Sequence, residues 1–363
     1  MIFIALFLIL TYWVWIGLIT CGWFKLNSRE INARTYKTVT LIVCAKNEAE
    51  YLPKLLEDIS LLNYPKRFLR LILINDHSED ATLKLMSDTE TGVSKTIIIN
   101  AASSGVSGKK QAVRLAAKMA TSDYLYFTDA DCRLNSNLLI NLVNFTVQNR
   151  YKLVSAPVIY KKTQGLIQSA FRLEFASLVA AGAGGIGIRH PFMCNGANML
   201  VETETYQNLQ FSDSGEISGD DVFVLHHIKE KFGEKVIGFS KHRESIVETY
   251  PPENLQKFLT QRKKWASKTP AYQDRFSLFT AGLVFSYAFF TVICVIGSFF
   301  SLELFYILML LYGIKILSDF FLLQDFSKFI NDKKMMIIYP VVQLIYPFYI
   351  VFSAFLSLIY RKQ

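Results

Sequence analysis

Residues Ile2 to Phe24 carry no charged side chain, and from about Phe279 the chain turns apolar again for most of its remaining length. A run of about 22 residues, each rising about 1.5 Å, crosses the ~30 Å hydrocarbon core of a bilayer. No basic residue precedes the first run, whereas Lys25, Arg29 and Arg34 follow it. That order predicts a retained anchor with a short outer N-terminus rather than a cleaved signal peptide. The apolar C-terminal region divides into expected spans near 279–300, 303–323 and 336–359, the first two joined by a tight turn at Ser301–Glu303. A loop over Asp325–Lys334, with Lys328, Lys333 and Lys334, is expected on the cytosolic side. Four spans place Arg361 and Lys362 outside, against the positive-inside rule, and Pro340 and Pro347 suit a kinked or re-entrant last segment.

Between the apolar ends lies a polar stretch, so the mean hydropathy of +0.27 conceals two different environments. The net charge of +9 places basic residues beside apolar spans, which suits an anionic inner leaflet or a polyanionic small molecule. No zinc-ligand spacing, helix-turn-helix signal or arginine-rich arm is present, so nucleic acid is not an expected partner. Five cysteines without a CxxC pair, two of them (Cys21 and Cys294) in apolar spans, exclude a disulfide framework and fit a reducing cytosol.

The middle stretch alternates strand-like apolar runs (Thr38–Ala45, Leu69–Asn75, Lys95–Asn100, Tyr124–Thr128, Leu153–Ile159) with helical patterns near Glu48–Leu62, Lys109–Met119 and Asn135–Gln148. Repeated strand–helix–strand predicts an α/β fold with a largely parallel sheet covered on both faces. The expected organisation is an anchor over 1–26, a cytosolic α/β domain over 27–250, an interfacial amphipathic region over 251–278 and a membrane region over 279–363. Leu166–Ala181 is amphipathic, and Arg172 and Glu174 argue for a position on the membrane surface rather than across it.

Ligands of such sheets bind beyond the carboxyl ends of the strands. Three strand ends there are polar and acidic: Ala45-Lys46-Asn47-Glu48, with Glu48 opening a helix; Asn75-Asp76-His77-Ser78-Glu79-Asp80; and Thr128-Asp129-Ala130-Asp131. No dinucleotide or P-loop fingerprint accompanies them. Asp129 and Asp131, one residue apart, can face one hard cation, Mg2+ or Mn2+, leaving positions for diphosphate oxygens. Ser78 and Asp80 also read as helix caps, and Asp76 as an acceptor for a nucleobase. Gly105–Lys110 opens a helix at which Lys109 or Lys110 can meet phosphate. Cys194-Asn195-Gly196-Ala197-Asn198 is a small-residue loop, and Asp220-Asp221 opens a further helix. His242 is a weaker candidate metal ligand. Gln261-Arg262-Lys263-Lys264-Trp265 ends a basic amphipathic segment before the spans.

In order and spacing, these motifs resemble those of membrane-integrated family 2 glycosyltransferases with the GT-A fold, over about Thr38 to Lys268. The resemblance implies a Rossmann-like mixed sheet with about four transmembrane helices, one N-terminal and three C-terminal. It implies that Glu48, Asp76, Lys110 and Asp129 hold the donor nucleotide, that Asp129 and Asp131 bind the metal, and that Asp221, beside Asp220, is the catalytic base. Gln261, Arg262, Lys264 and Trp265 are implied to contact acceptor and diphosphate. Asn75 stands where the family often has Asp. Lys264 stands where Arg is usual, and the two are not interchangeable at a bidentate phosphate contact. The implied activity is inverting, metal-dependent transfer from a nucleotide diphosphate sugar, with uridine the family-level base, to a lipid or glycan acceptor at the inner membrane. Two alternatives stay open: a processive polysaccharide synthase of the same family, and a catalytically inactive scaffold.

Overall fold

The computed structural model describes residues 1–26, 35–103, 108–209, 220–268 and 271–360, with the side chains of 220 and 357–360 outside the described set. The chain divides into two compact units. One comprises Leu26–Ile159 and Met193–Tyr250, the other Met1–Lys25, Tyr160–Phe192 and Pro251–Gln363.

The first unit is built on a seven-stranded sheet. In chain order its strands are β1 (Val39–Ala45), β2 (Leu69–Asn75), β3 (Lys95–Asn100), β4 (Tyr124–Asp129), β5 (Leu153–Ser155), β7 (Met199–Glu202) and β8 (Ile237–Phe239). Their spatial order is β3-β2-β1-β4-β7-β5-β8. The first four are parallel, and β7 runs antiparallel between β4 and β5. The sheet is therefore mixed, with β7 antiparallel to both of its neighbours. The central strands read as continuous Val, Ile and Leu and are almost wholly buried, as a doubly covered sheet requires. Helices α2 (Leu52–Ser60), α3 (Thr82–Asp88), α4 (Gly108–Met119), α5 (Leu138–Asn149) and α8 (Asp220–Phe232) punctuate the strands, with a short α7 (Thr203–Gln207) after β7.

Two boundaries differ from expectation. The run expected over Leu153–Ile159 is two strands, β5 and β6 (Val158–Tyr160), because Pro157 cannot donate to a ladder. β6 leaves the main sheet and pairs with β9 (Val247–Thr249). Glu48 does not open a helix. It lies in a turn, and α2 starts at Leu52 with Pro53 in its first turn.

The second unit is helical. α1 (Ile2–Lys25), α10 (Arg275–Gly297) and α11 (Leu302–Phe329) are long and apolar enough to cross a membrane, as is the stretch Lys333–Leu356. That last stretch joins a 3-10 turn over Lys333–Ile338 to α12 (Tyr339–Tyr360). α11 runs on to Phe329, so the expected loop over Asp325–Lys334 is shorter and Lys328 lies in the last helical turn. The spans are tied by polar contacts. Trp23 Nε1 donates to Asp325 (2.7 Å) and Tyr12 Oη to Asp319 (2.9 Å), while Lys315 Nζ bridges Asp319 (2.6 Å) and Gln343 (2.8 Å). Charges inside an apolar bundle persist only when paired in this way.

α6 (Leu166–Gly187), expected to lie on the membrane surface, has buried residues in both halves and packs on α1 backbone to backbone. A Cβ at Gly184 would lie 2.3 Å from the Ile19 carbonyl oxygen, and one at Gly187 would lie 2.0 Å from that of Gly22. Small residues allow such contact, and its van der Waals packing holds apolar helices together. Because no rotamer relieves a clash with backbone, Gly184→Ala should destabilise this unit by about 1–3 kcal/mol. Thermal unfolding of the purified protein in detergent reads the effect. An unchanged midpoint would contradict the packing.

Candidate active site

The carboxyl edge of the parallel strands gathers the acidic strand ends, because β1, β2 and β4 are neighbours in register: Cys44 lies beside Asp129 and Ala45 beside Asn75. Two loops there are laced together. Asn47, in the left-handed region at φ 57°, donates its N–H to Ser78 Oγ (3.0 Å) and accepts from Glu79 N (2.8 Å). Asp80 accepts from Thr82 Oγ1 (2.5 Å), the bond that most draws its carboxyl below the usual range, and also from Thr82 N (3.0 Å) and Ala49 N (3.1 Å). Ser78 and Asp80 are thus structural staples of the loop. Asp76 is mostly buried at the end of β2, with His77 Nδ1 3.2 Å from its Oδ1.

Asp129 and Asp131 follow β4. Lys109 Nζ donates to Asp129 Oδ1 (2.7 Å), and Thr249 Oγ1 to Asp131 Oδ2 (2.8 Å). The turn is braced from behind by the buried Asp58, which accepts two bonds from Arg133 (2.6 Å each) and one from Leu134 N (2.9 Å). Arg133 and Glu248 also exchange backbone bonds. Neither Asp58 nor Thr249 carries a local sequence signal, because their roles arise only when α2 and β9 reach the turn.

Carboxylates are crowded here. Burial, then the charges of Asp131 and Asp129, push the Glu48 carboxyl up to about 7. Burial and then Asp129 raise Asp131. The Asp129 carboxylate raises the Lys109 ammonium far above its usual value, and Asp221 adds to this. Among the described residues no three metal-ligating side chains converge on one point. The pair Asp129 and Asp131 therefore suits a hard divalent cation that takes its other ligands from a diphosphate and water. A cation there would relieve the carboxylate repulsion that raises Glu48 and Asp131.

Because β7 is antiparallel to β4, with Met199 opposite Phe127, the loop before β7 arrives at this same edge. There Gly196 N donates to Asp221 Oδ2 (2.9 Å), and Cys194 Sγ lies 3.3 Å from the Asp221 carbonyl oxygen. A Cβ at Gly196 would sit 3.1 Å from the Asp221 Cβ. Gly196→Ala should therefore push Asp221 aside by a few tenths of an ångström and lower turnover about tenfold, since displacements of 1 Å can cost 10²-fold. Steady-state kinetics should show the loss in kcat with donor KM little changed.

Of the two lysines expected to meet phosphate, Lys109 reaches the Asp129 carboxylate, and Lys110 Nζ sits 5.7 Å from the Phe223 ring centroid. His242 packs edge-on against Phe145 at 5.9 Å, and among the described residues it joins no group of three metal-ligating side chains. The side chain of Asp220 lies outside the described residues, as do Gly105 to Ser107.

In the helical unit, α9 (Leu255–Ala266) carries Gln261, Arg262, Lys264 and Trp265. Lys264 is exposed. Arg262 is 3% exposed, and its guanidinium is bound to Glu174 of α6, with Nε 3.0 Å from both carboxylate oxygens.

An α/β sheet with acidic strand ends at one edge and an antiparallel return strand beyond β4 is the GT-A architecture of nucleotide-sugar transferases. The chain belongs to glycosyl transferase family group 2, whose model matches residues 124–321, and the glycosyl transferase family 2 model matches 40–191. In fold it is similar to a mannosyltransferase from Pyrobaculum calidifontis solved with GDP-Man and Mn2+. The TM-score is 0.58 at 15% identity, covering 98% of this chain and 95% of that one. In sequence it is similar to the beta-monoglucosyldiacylglycerol synthase of Trichormus variabilis, 25% identical over 29% of this chain and 22% of the relative. It is also similar to the 4,4'-diaponeurosporenoate glycosyltransferase of Staphylococcus haemolyticus, 31% identical over 28% and 26% respectively. The matches span about a quarter of the length of these curated relatives.

Proposed function

We propose that the protein transfers a sugar from a nucleotide diphosphate sugar to a lipid or lipid-linked acceptor by a single inverting displacement, with Mg2+ or Mn2+ at Asp129 and Asp131. The observation that carries this reading is the crowding of Glu48, Asp129 and Asp131 around Lys109, an arrangement that favours a cation bearing a diphosphate. The four apolar helices and the names of two curated relatives, a beta-monoglucosyldiacylglycerol synthase and a 4,4'-diaponeurosporenoate glycosyltransferase, support a membrane-borne acceptor. Basic residues after α1 and at the end of α11 support a cytosolic catalytic face, with uridine the family-level base.

Asp76 accepts a hydrogen bond from the nucleobase, and Glu48, with its pKa near neutrality, bonds the nucleoside. Lys109 offers its ammonium to the diphosphate. Asp221, held by Gly196 N, takes the proton of the acceptor hydroxyl as that oxygen bonds the anomeric carbon and the bond to the diphosphate breaks. A divalent cation held by Asp129 and Asp131 would supply Lewis-acid stabilisation of the leaving diphosphate. Gln261, Trp265 and Lys264 contribute acceptor contacts from α9.

The test is incubation of the detergent-solubilised protein with sugar-labelled donors, Mn2+ and total membrane lipid, followed by extraction and anomeric assignment of the lipid product by NMR. Label in the lipid phase with inverted configuration is expected. Retained configuration would overturn the single displacement, and label confined to the aqueous phase would overturn the lipid acceptor.

A further inference from the structure

Glu174 lies in the first half of α6, where a carboxylate in a largely buried helix is costly without partners, and it is 6% exposed. Its partners come from two other helices. Arg262 of α9 donates through Nε to both carboxylate oxygens (3.0 Å each) and through Nη2 to Oε2, and Tyr349 of α12 donates to Oε1 (2.9 Å). Arg262 has a further Nη1 bond to Gln261 Oε1 (2.6 Å), and Tyr160 Oη donates to that same oxygen (2.8 Å). The guanidinium carbon lies 4.2 Å from the Trp265 ring centroid and 4.5 Å from that of Phe258.

An arginine N–H can only donate, so the Gln261 atom facing Arg262 is the amide oxygen. The amide NH2 then points away from the cluster as a pure donor. One face of the half-buried Trp265 is occupied by the guanidinium, which fixes the plane of its ring. Two of the α9 residues read as acceptor-contacting, Gln261 and Trp265, are therefore held by Arg262, and Arg262 is held by Glu174.

We propose that Glu174 is a positioning residue for acceptor recognition: by anchoring Arg262 it sets Gln261 with its amide NH2 outward and Trp265 in a fixed plane, a surface suited to an oxygen-rich sugar or phosphate headgroup. The inference rests on the reading of α9 as the acceptor-contacting helix. It converts Arg262 from a phosphate ligand into the hinge pin of that surface.

The experiment uses the full-length protein in detergent with the donor that supports turnover and total membrane lipid as acceptor. Donor hydrolysis without lipid is measured beside transfer with it. Glu174→Gln should raise acceptor KM about tenfold, with donor KM and lipid-free hydrolysis within twofold of wild type, the scale of a lost charge-assisted bond. Tyr160→Phe, which leaves the ion pair intact and removes one of the two donors to Gln261, should raise acceptor KM about threefold and guards against simple misfolding of the first variant. In a Gln261→Ala background the Glu174→Gln effect should shrink, because the two act through one path. Additive effects, or equal losses in hydrolysis and transfer, would overturn the positioning role. If Gln261→Ala and Trp265→Ala both leave acceptor KM unchanged, the reading of α9 itself fails, and that outcome is distinct from a failure at Glu174 alone.

Discussion

Asp221→Asn is expected to lower sugar transfer about 10²- to 10⁴-fold, the range that general-base assistance supplies. The amide is nearly isosteric, and its oxygen can still accept from Gly196 N, so the loop before β7 should keep its position. The bond that Asp221 Oδ1 accepts from Val222 N (2.9 Å) is lost, and so is the capacity to take a proton. Donor binding should stay within about twofold, because no donor contact is assigned to this side chain, and a bond lost elsewhere would cost more. A kcat loss with donor Kd preserved in titration calorimetry is the expected signature. A parallel loss of donor affinity would place Asp221 among the donor ligands instead.

The second large effect is expected at Asp131. It is oriented by Thr249, while Asp129 is engaged by Lys109. Asp131→Asn removes one of the two carboxylates proposed to hold the metal. Metal stabilisation of a leaving group is worth several kcal/mol, so transfer should fall by about 10²-fold or more. Donor affinity should also fall and lose its dependence on Mn2+, in contrast to Asp221→Asn. Titration of donor with and without Mn2+ separates the two variants. Retained Mn2+ dependence in Asp131→Asn would move the metal off this turn.

The features that could be read in the sequence are those where a local pattern and the fold coincide. The strands β1, β2 and β4 are apolar runs stopped by polar residues, so both their extents and the acidic edge follow from composition alone. Periodicity falls short where a residue's meaning depends on a distant partner. Lys109 and Lys110 are adjacent at a helix start, and only the turn of α4 decides which one reaches Asp129. Asp58 and Thr249 are unremarkable until α2 and β9 deliver them to the turn after β4.

α6 shows the same limit at a larger scale. Arg172 and Glu174 argue against a spanning helix, and a surface position follows if they lack partners. The partners exist, in Asp332 (2.6 Å from Arg172 Nε) and Arg262, but they lie 160 and 88 residues away. Arg262 itself sits in a motif whose resemblance points to phosphate. The buried carboxylate that claims it cannot be inferred from spacing.

The most direct test of the account is release of nucleoside diphosphate by the purified protein from a panel of nucleotide sugars, with Mn2+ and with chelator. The account predicts turnover of one donor, abolished by chelation and in Asp131→Asn, and strongly reduced in Asp221→Asn. Turnover that persists in chelator and in both variants would contradict the carboxylate edge as the reaction centre. No release from any donor in the presence of membrane lipid would contradict sugar transfer itself.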